Sequence, residues 1–195
     1  ANALAEAGLE HGDRVGTFLW NSAVHLSVYL AVPSMGGVMH TLNCRLSPEQ
    51  ISFIINDADD RYIIVDGRLE AQFLPVLATI PKVERILIDR PQGLLAHDPR
   101  VTDLSAFVDG HGVDFPWTES PEEQAAGICY TSGTTGNPKG VAYSQKTTYL
   151  HALASRAVDA FGVRERDIIL MLPSMFHANA WGFPYSGWMS GADMV

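Results

Sequence analysis

Ten consecutive residues, Thr131-Ser132-Gly133-Thr134-Thr135-Gly136-Asn137-Pro138-Lys139-Gly140, gather three glycines, three threonines, a serine and a lysine. Such a run adds nothing to an apolar core. Glycines at 133, 136 and 140 let a backbone turn through positive φ and bring bare amides close to an anion. Thr131, Ser132, Thr134 and Thr135 add hydroxyl donors. Lys139 adds a point charge on a flexible stem, and Pro138 stiffens the segment before it. The chemistry these types suggest is a cradle for a polyphosphate. The run is not G-x-x-x-x-G-K-[ST], because Lys139 follows a proline and precedes a glycine, and the chain holds no G-x-G-x-x-G.

A second candidate lies downstream. His177 and Trp181 stand four apart in an uncharged segment and would share one face of a helix. On their own they read as a packed core pair. The other chemistry-bearing residues read as structural. Asp57, Asp59 and Asp60 suggest a solvated corner, and His25 and His151 sit in helical stretches. His111 and Asp114 lack a third ligand at useful spacing. Cys44 and Cys129 lie far apart among apolar neighbours, which suggests buried reduced thiols and a cytoplasmic protein.

The elements that must position these residues alternate between strand and helix. Strands are expected at 15–20, 38–42, 62–66, 86–88, 126–130, 141–143 and 168–172, the last broken by Pro173. A helix capped by Asn21-Ser22 should run to Met35 and stop at Gly36-Gly37. Ser47-Pro48-Glu49-Gln50 is a capping box that opens a helix with Ile51, Ile54, Ile55 and Ala58 inward. Helical stretches are expected at 69–80 and 144–162, the latter with Tyr149, Leu150, Leu153 and Val158 facing inwards. Residues 91–121 read as a long, partly irregular connection. The pattern is that of an α/β fold with a largely parallel, doubly covered sheet. Ala1–Gly8 begins inside a helix and Ala192–Val195 stops where a strand would begin, so a chain truncated at both ends is expected.

The 195 residues are 47% hydrophobic and 18% charged, as in ordinary globular proteins. Acids outnumber bases 22 to 13, for a net charge of −9, which argues against a nucleic-acid partner. No charged residue lies between Arg14 and Arg45 or between Asp167 and Asp193. Both stretches carry breakers and polar residues, so no transmembrane segment is expected where about 20 apolar residues are needed. The N-terminus has no signal-peptide pattern.

The 131–140 run resembles the phosphate loop of the adenylate-forming (AMP-binding) superfamily of acyl-CoA synthetases, peptide-synthetase adenylation domains and luciferases. Met175-Phe176-His177-Ala178-Asn179-Ala180-Trp181 is similar to a segment of its medium- and long-chain fatty acyl-CoA synthetases. The resemblance implies part of that family's layered sheet-and-helix N-terminal domain, without the C-terminal domain. It implies an ATP-dependent acid–thiol ligase that primes a carboxylic acid as an acyl-adenylate and passes it to CoA, with Mg2+ as cofactor. Thr131, Ser132, Gly133, Thr134, Thr135, Gly136 and Lys139 would then contact ATP, with Thr131 also at the metal. His177, Ala178 and Trp181 would contact the acid, and no catalytic residue is assigned. The alternatives are adenylation of another acid (short thioether, aryl or amino acid) for CoA or a carrier protein, and a binding protein without catalysis. A homodimer of the full-length protein is compatible with the family. Ser174 where relatives have proline, and Gln145-Lys146 in place of His-Arg, depart from its pattern.

Overall fold

Seven strands join in one sheet whose order is β5-β4-β3-β1-β2-β6-β7 among the described residues. The computed structural model describes residues 1–117, 119–131 and 137–195. In chain order the elements are α1 (Asn2–Glu6), β1 (Arg14–Phe18), α2 (Ala23–Ser34), β2 (Val38–Thr41), α3 (Pro48–Ala58), β3 (Asp60–Asp66), α4 (Glu70–Phe73) and β4 (Arg85–Asp89). There follow β5 (Val101–Asp103), α5 (Leu104–Val108), β6 (Ala125–Thr131), β7 (Lys139–Ser144), α6 (Gln145–Ser155), β8 (Ile168–Ile169), α7 (Phe183–Ser190) and β9 (Asp193–Met194). All pairings in the large sheet are parallel except β6 with β7. β8 and β9 form a separate parallel pair.

Strand alternation divides the core in two. Ile63 and Val65 of β3 point into one layer with Ile51, Ile54 and Ile55 of α3. Tyr62 and Ile64 point into the other, with Val28, Tyr29 and Val32 of α2. The sheet is therefore covered on both faces, as its near-continuous apolar strands require.

Local signals set the helix bounds. The Ser22 hydroxyl accepts from the His25 amide at 3.1 Å and opens α2. The capping box of α3 is complete: the Gln50 amide donates to Ser47 Oγ, and the Ser47 amide donates to Gln50 Oε1. The helical stretch over 69–80 breaks into α4 between two 3-10 turns, because Pro75 supplies no amide.

The partly irregular 91–121 connection holds two short elements, β5 and α5. Buried Glu70 pins its start by accepting from the amides of Gln92 and Leu95. Three expectations are corrected. Asp60 is not part of a solvated corner: it is fully buried and accepts from Nδ1 of the equally buried His40 at 2.8 Å. On α6 the residues turned inward are Ala152 and Ser155, whereas Tyr149, Leu150, Leu153 and, beyond the helix, Val158 are exposed. α6 packs chiefly on α7, and at its start the Gln145 amide group donates to Pro33 O of α2 at 2.8 Å. The strand over 168–172 shrinks to β8, with Leu170 and Leu172 exposed. No helix among the described residues is long and apolar enough to cross a membrane.

Candidate active site at the carboxyl edge of the sheet

The chain leaves β1 for α2 on one face of the sheet and leaves β2 for α3 on the other. Between the carboxyl ends of such strands a crevice opens, the usual ligand position in open α/β sheets. Residues 171–177 cross it. The Asn21 side-chain amide donates to the carbonyls of Met171 (2.7 Å) and Pro173 (2.9 Å), and its oxygen accepts from the Met175 amide at 2.8 Å. Tyr29 OH donates to Met175 O. Met175 is buried in one core layer and Phe176 in the other, where it meets Trp20 edge-on at 5.5 Å. The segment thus straddles the end of the sheet, and His177 emerges from a fixed point.

Beyond His177 the backbone is left-handed. Ala178, Asn179, Ala180 and Trp181 all have φ between 46° and 57°, and Gly182 follows at 76°. The helix that would put His177 and Trp181 on one face is absent, yet both residues line one cavity of about 570 Å3, together with Asn43, Arg45 and Ser174. Each left-handed non-glycine residue costs roughly 1–2 kcal/mol, and such strain gathers at functional sites. Two contacts hold the turn: Thr41 Oγ1 bonds to Asn179 Oδ1 at 3.1 Å, and His151 Nε2 bonds to Trp181 O at 3.0 Å. His151 is thus a brace for the turn. Trp181 and Ala178 also line a second cavity, of about 280 Å3, with Tyr143, Thr148 and His151. Trp181, itself exposed, borders both spaces.

The polyphosphate candidate lies on the same edge. Parallel pairing of β2 with β6 sets Thr41 opposite Cys129, so Asn43 and Thr131 leave neighbouring strand ends. Thr131 ends β6 and pairs with Lys139, the first residue of β7. Ser132, Gly133, Thr134, Thr135 and Gly136 lie outside the described residues. Gly140 does not serve the turn. It is a β7 residue opposite Tyr130, and a Cβ there would lie 3.0 Å from the phenol ring, so its role is to leave room.

Thr131 offers one hydroxyl, whereas Mg2+ takes about six oxygen ligands. No group of three or more His, Cys, Asp or Glu among the described residues could hold a metal ion. This donor set does not build a metal centre of its own. The thiols take no part either: both are buried and unpaired with each other, and burial pushes Cys44 up to about 12.

Sequence reasoning missed Arg45 and Asn43. Arg45 lies with its guanidinium 5.8 Å from the Phe176 ring centroid, a cation on the cavity wall. The signal was available: Asn43-Cys44-Arg45 directly follows the second strand.

A family model described as AMP-binding enzyme matches residues 1–195. A 3-methylmercaptopropionyl-CoA ligase of Ruegeria lacuscaerulensis is 42% identical over all of this chain and 36% of its own length. A medium-chain-fatty-acid–CoA ligase of Ectopseudomonas oleovorans has the same identity and the same coverage. A long-chain-fatty-acid-CoA ligase from Archaeoglobus fulgidus superposes over the whole chain with a TM-score of 0.84 at 27% identity, covering 37% of that structure. The chain spans about a third of the length of the relatives it matches.

Proposed function

The chain belongs to the AMP-binding enzyme family, and on that premise we propose that the intact protein is an acyl-CoA ligase that primes a medium- or long-chain fatty acid with ATP. In this reading one carboxylate oxygen of the acid attacks the α-phosphorus of ATP and pyrophosphate leaves. The CoA sulfur then attacks the acyl carbon and AMP leaves. Both leaving groups are anions, so donors held in place around them lower the barrier electrostatically.

The observation that carries the reading is the shared edge. Thr131 ends β6 and Lys139 begins β7, the anchors of the phosphate loop, and the cavity bordered by His177, Trp181, Asn43 and Arg45 lies just past the end of β2, the strand that neighbours β6. Thr131, Lys139 and the intervening Ser132, Gly133, Thr134, Thr135 and Gly136 bind the phosphates. Thr131 would offer one oxygen ligand to a Mg2+ ion held mainly by the nucleotide, and the ion would offset the phosphate charge. His177 and Ala178 border the carboxylate, and Trp181 borders the chain of the acid. The 195 residues form part of the nucleotide-binding N-terminal domain, in a cytoplasmic protein, and do not complete a thioester alone.

The 42% identity to a 3-methylmercaptopropionyl-CoA ligase favours a second reading, in which the acid is a short thioether. Thioester formation by the full-length protein separates the two. Octanoate and palmitate consumed in preference to 3-methylmercaptopropionate supports the first reading, and the reverse order supports the second. AMP release without CoA consumption would remove both.

A further inference from the structure

Tyr130 immediately precedes the phosphate loop, and its side chain is tied to a different part of the fold. Its hydroxyl donates to Asp57 Oδ2 at 2.6 Å, joining the end of β6 to the last turn of α3. Its ring lies against the His40 imidazole, with centroids 5.0 Å apart and planes inclined by 43°. His40 in turn is fixed from below, because Asp60 accepts from Nδ1 with both carboxylate oxygens, at 2.9 and 2.8 Å. Both residues of that pair are fully buried. His40 Nε2 has no hydrogen-bonding partner among the described residues, so Tyr130 receives ring contact from it and no polar bond.

The opposite strand is shaped to fit. Gly140 pairs with Tyr130 in register, and a Cβ at Gly140 would approach the ring carbons Cζ and Cε2 at 3.0 and 3.2 Å and the phenol oxygen at 3.3 Å. The phenol therefore fills a slot bounded by Gly140 on one side and His40 on the other, with Asp57 at its tip. A tyrosine placed so firmly next to Thr131 sets the azimuth at which β6 delivers the loop, and Gly140 does the same for the strand that receives it after Lys139.

We propose that Tyr130, clamped by Asp57 and seated in the slot between His40 and Gly140, is a positioning residue for nucleotide binding: it fixes the two anchors of the phosphate loop, Thr131 and Lys139, without touching the substrate. This rests on the reading of the loop as the ATP site. It also gives a partner to Asp57, an exposed carboxylate in the last turn of α3. Asp57 faces the phenol, and its charge is engaged by the hydroxyl.

The test uses the full-length protein and ATP–pyrophosphate exchange with octanoate. Tyr130→Phe keeps the ring and loses the bond. It raises KM for ATP about fivefold, as loss of a partly exposed hydrogen bond to a charged group predicts. KM for octanoate moves less than about twofold, and the melting temperature stays within about 2 °C. Asp57→Ala repeats this pattern, and Asp57→Asn, which keeps an acceptor oxygen, restores most of the ATP affinity. Gly140→Ala, which crowds the ring, raises KM for ATP in the native background and has a smaller effect when combined with Tyr130→Phe. Lys139→Ala is the control for the loop itself. If it raises KM for ATP while Tyr130→Phe and Asp57→Ala do not, the clamp is overturned and the loop reading stands. If the ATP and octanoate constants rise together with a fall in melting temperature, Tyr130 is only structural and the proposal fails. If Lys139→Ala is silent too, the loop reading falls and takes the clamp with it.

Discussion

Asn21 and Met175 are joined across 154 residues of sequence: the Met175 amide donates to Asn21 Oδ1 at 2.8 Å. The same asparagine donates to the Met171 and Pro173 carbonyls, so one side chain at the start of α2 satisfies three backbone groups of the strand-free segment that crosses the crevice. Asn21→Ala strips all three partners. Stability should fall by about 2–3 kcal/mol, the cost of leaving partly buried backbone groups unpaired, as read from urea unfolding. In the full-length enzyme the KM for the acid should rise more than that for ATP, because His177 and Trp181 follow this segment.

His25 gives the fold a pH dependence. Its Nδ1 lies 3.2 Å from the Trp20 carbonyl, which can only accept, so Nδ1 carries the proton and Nε2 accepts from the Thr17 hydroxyl at 3.0 Å. Burial lowers its pKa from the usual 6.5 to about 4, with the Trp20 bond opposing the shift. Because the folded state holds the ring neutral while the unfolded chain takes up a proton below about 6.5, stability is full above that pH and is lost as pH falls toward 4. At about 1.4 kcal/mol per unit the loss is on the order of 3 kcal/mol. Unfolding midpoints between pH 7.5 and 4.5 should show this slope in the native chain and lack it in His25→Gln.

Trp181 lines two spaces, of about 570 and 280 Å3. Trp181→Ala would join them. The full-length variant should accept longer acids relative to octanoate, read as a change in the ratio of kcat/KM between palmitate and octanoate. An unchanged ratio would mean that the indole does not border the acyl chain.

Much of the scaffold was legible because its signals are local. Ser22 and the Ser47–Gln50 box start their helices where the residue types place them, and the strand cores of β1, β2, β3, β4 and β6 follow from short apolar runs. What was illegible depends on neighbours distant in sequence. Asp60 reads as one of three surface acids until β2 brings His40 beside it. The outward face of α6 reads as a core face because Tyr149, Leu150 and Leu153 are apolar, yet the residues it buries are Ala152 and Ser155. At the site, residue types point to His177 and Trp181, but a four-residue spacing shares a face only on a right-handed helix, and the backbone there is left-handed. Arg45 is legible only through its place directly after the second strand, since an exposed arginine carries no signal of its own until the cavity it lines is known.

The claim on which the account rests is that residues 131–139 bind the phosphates of ATP so that a fatty acid can attack it. ATP–pyrophosphate exchange by the full-length protein, native and Lys139→Ala, across acids of increasing chain length measures that step alone. Exchange should require a medium- or long-chain acid, and Lys139→Ala should raise KM for ATP at least about tenfold, the expected loss of one charge-assisted phosphate contact. Exchange with no acid in the series, or a Lys139→Ala enzyme whose KM for ATP matches the native one, would contradict it.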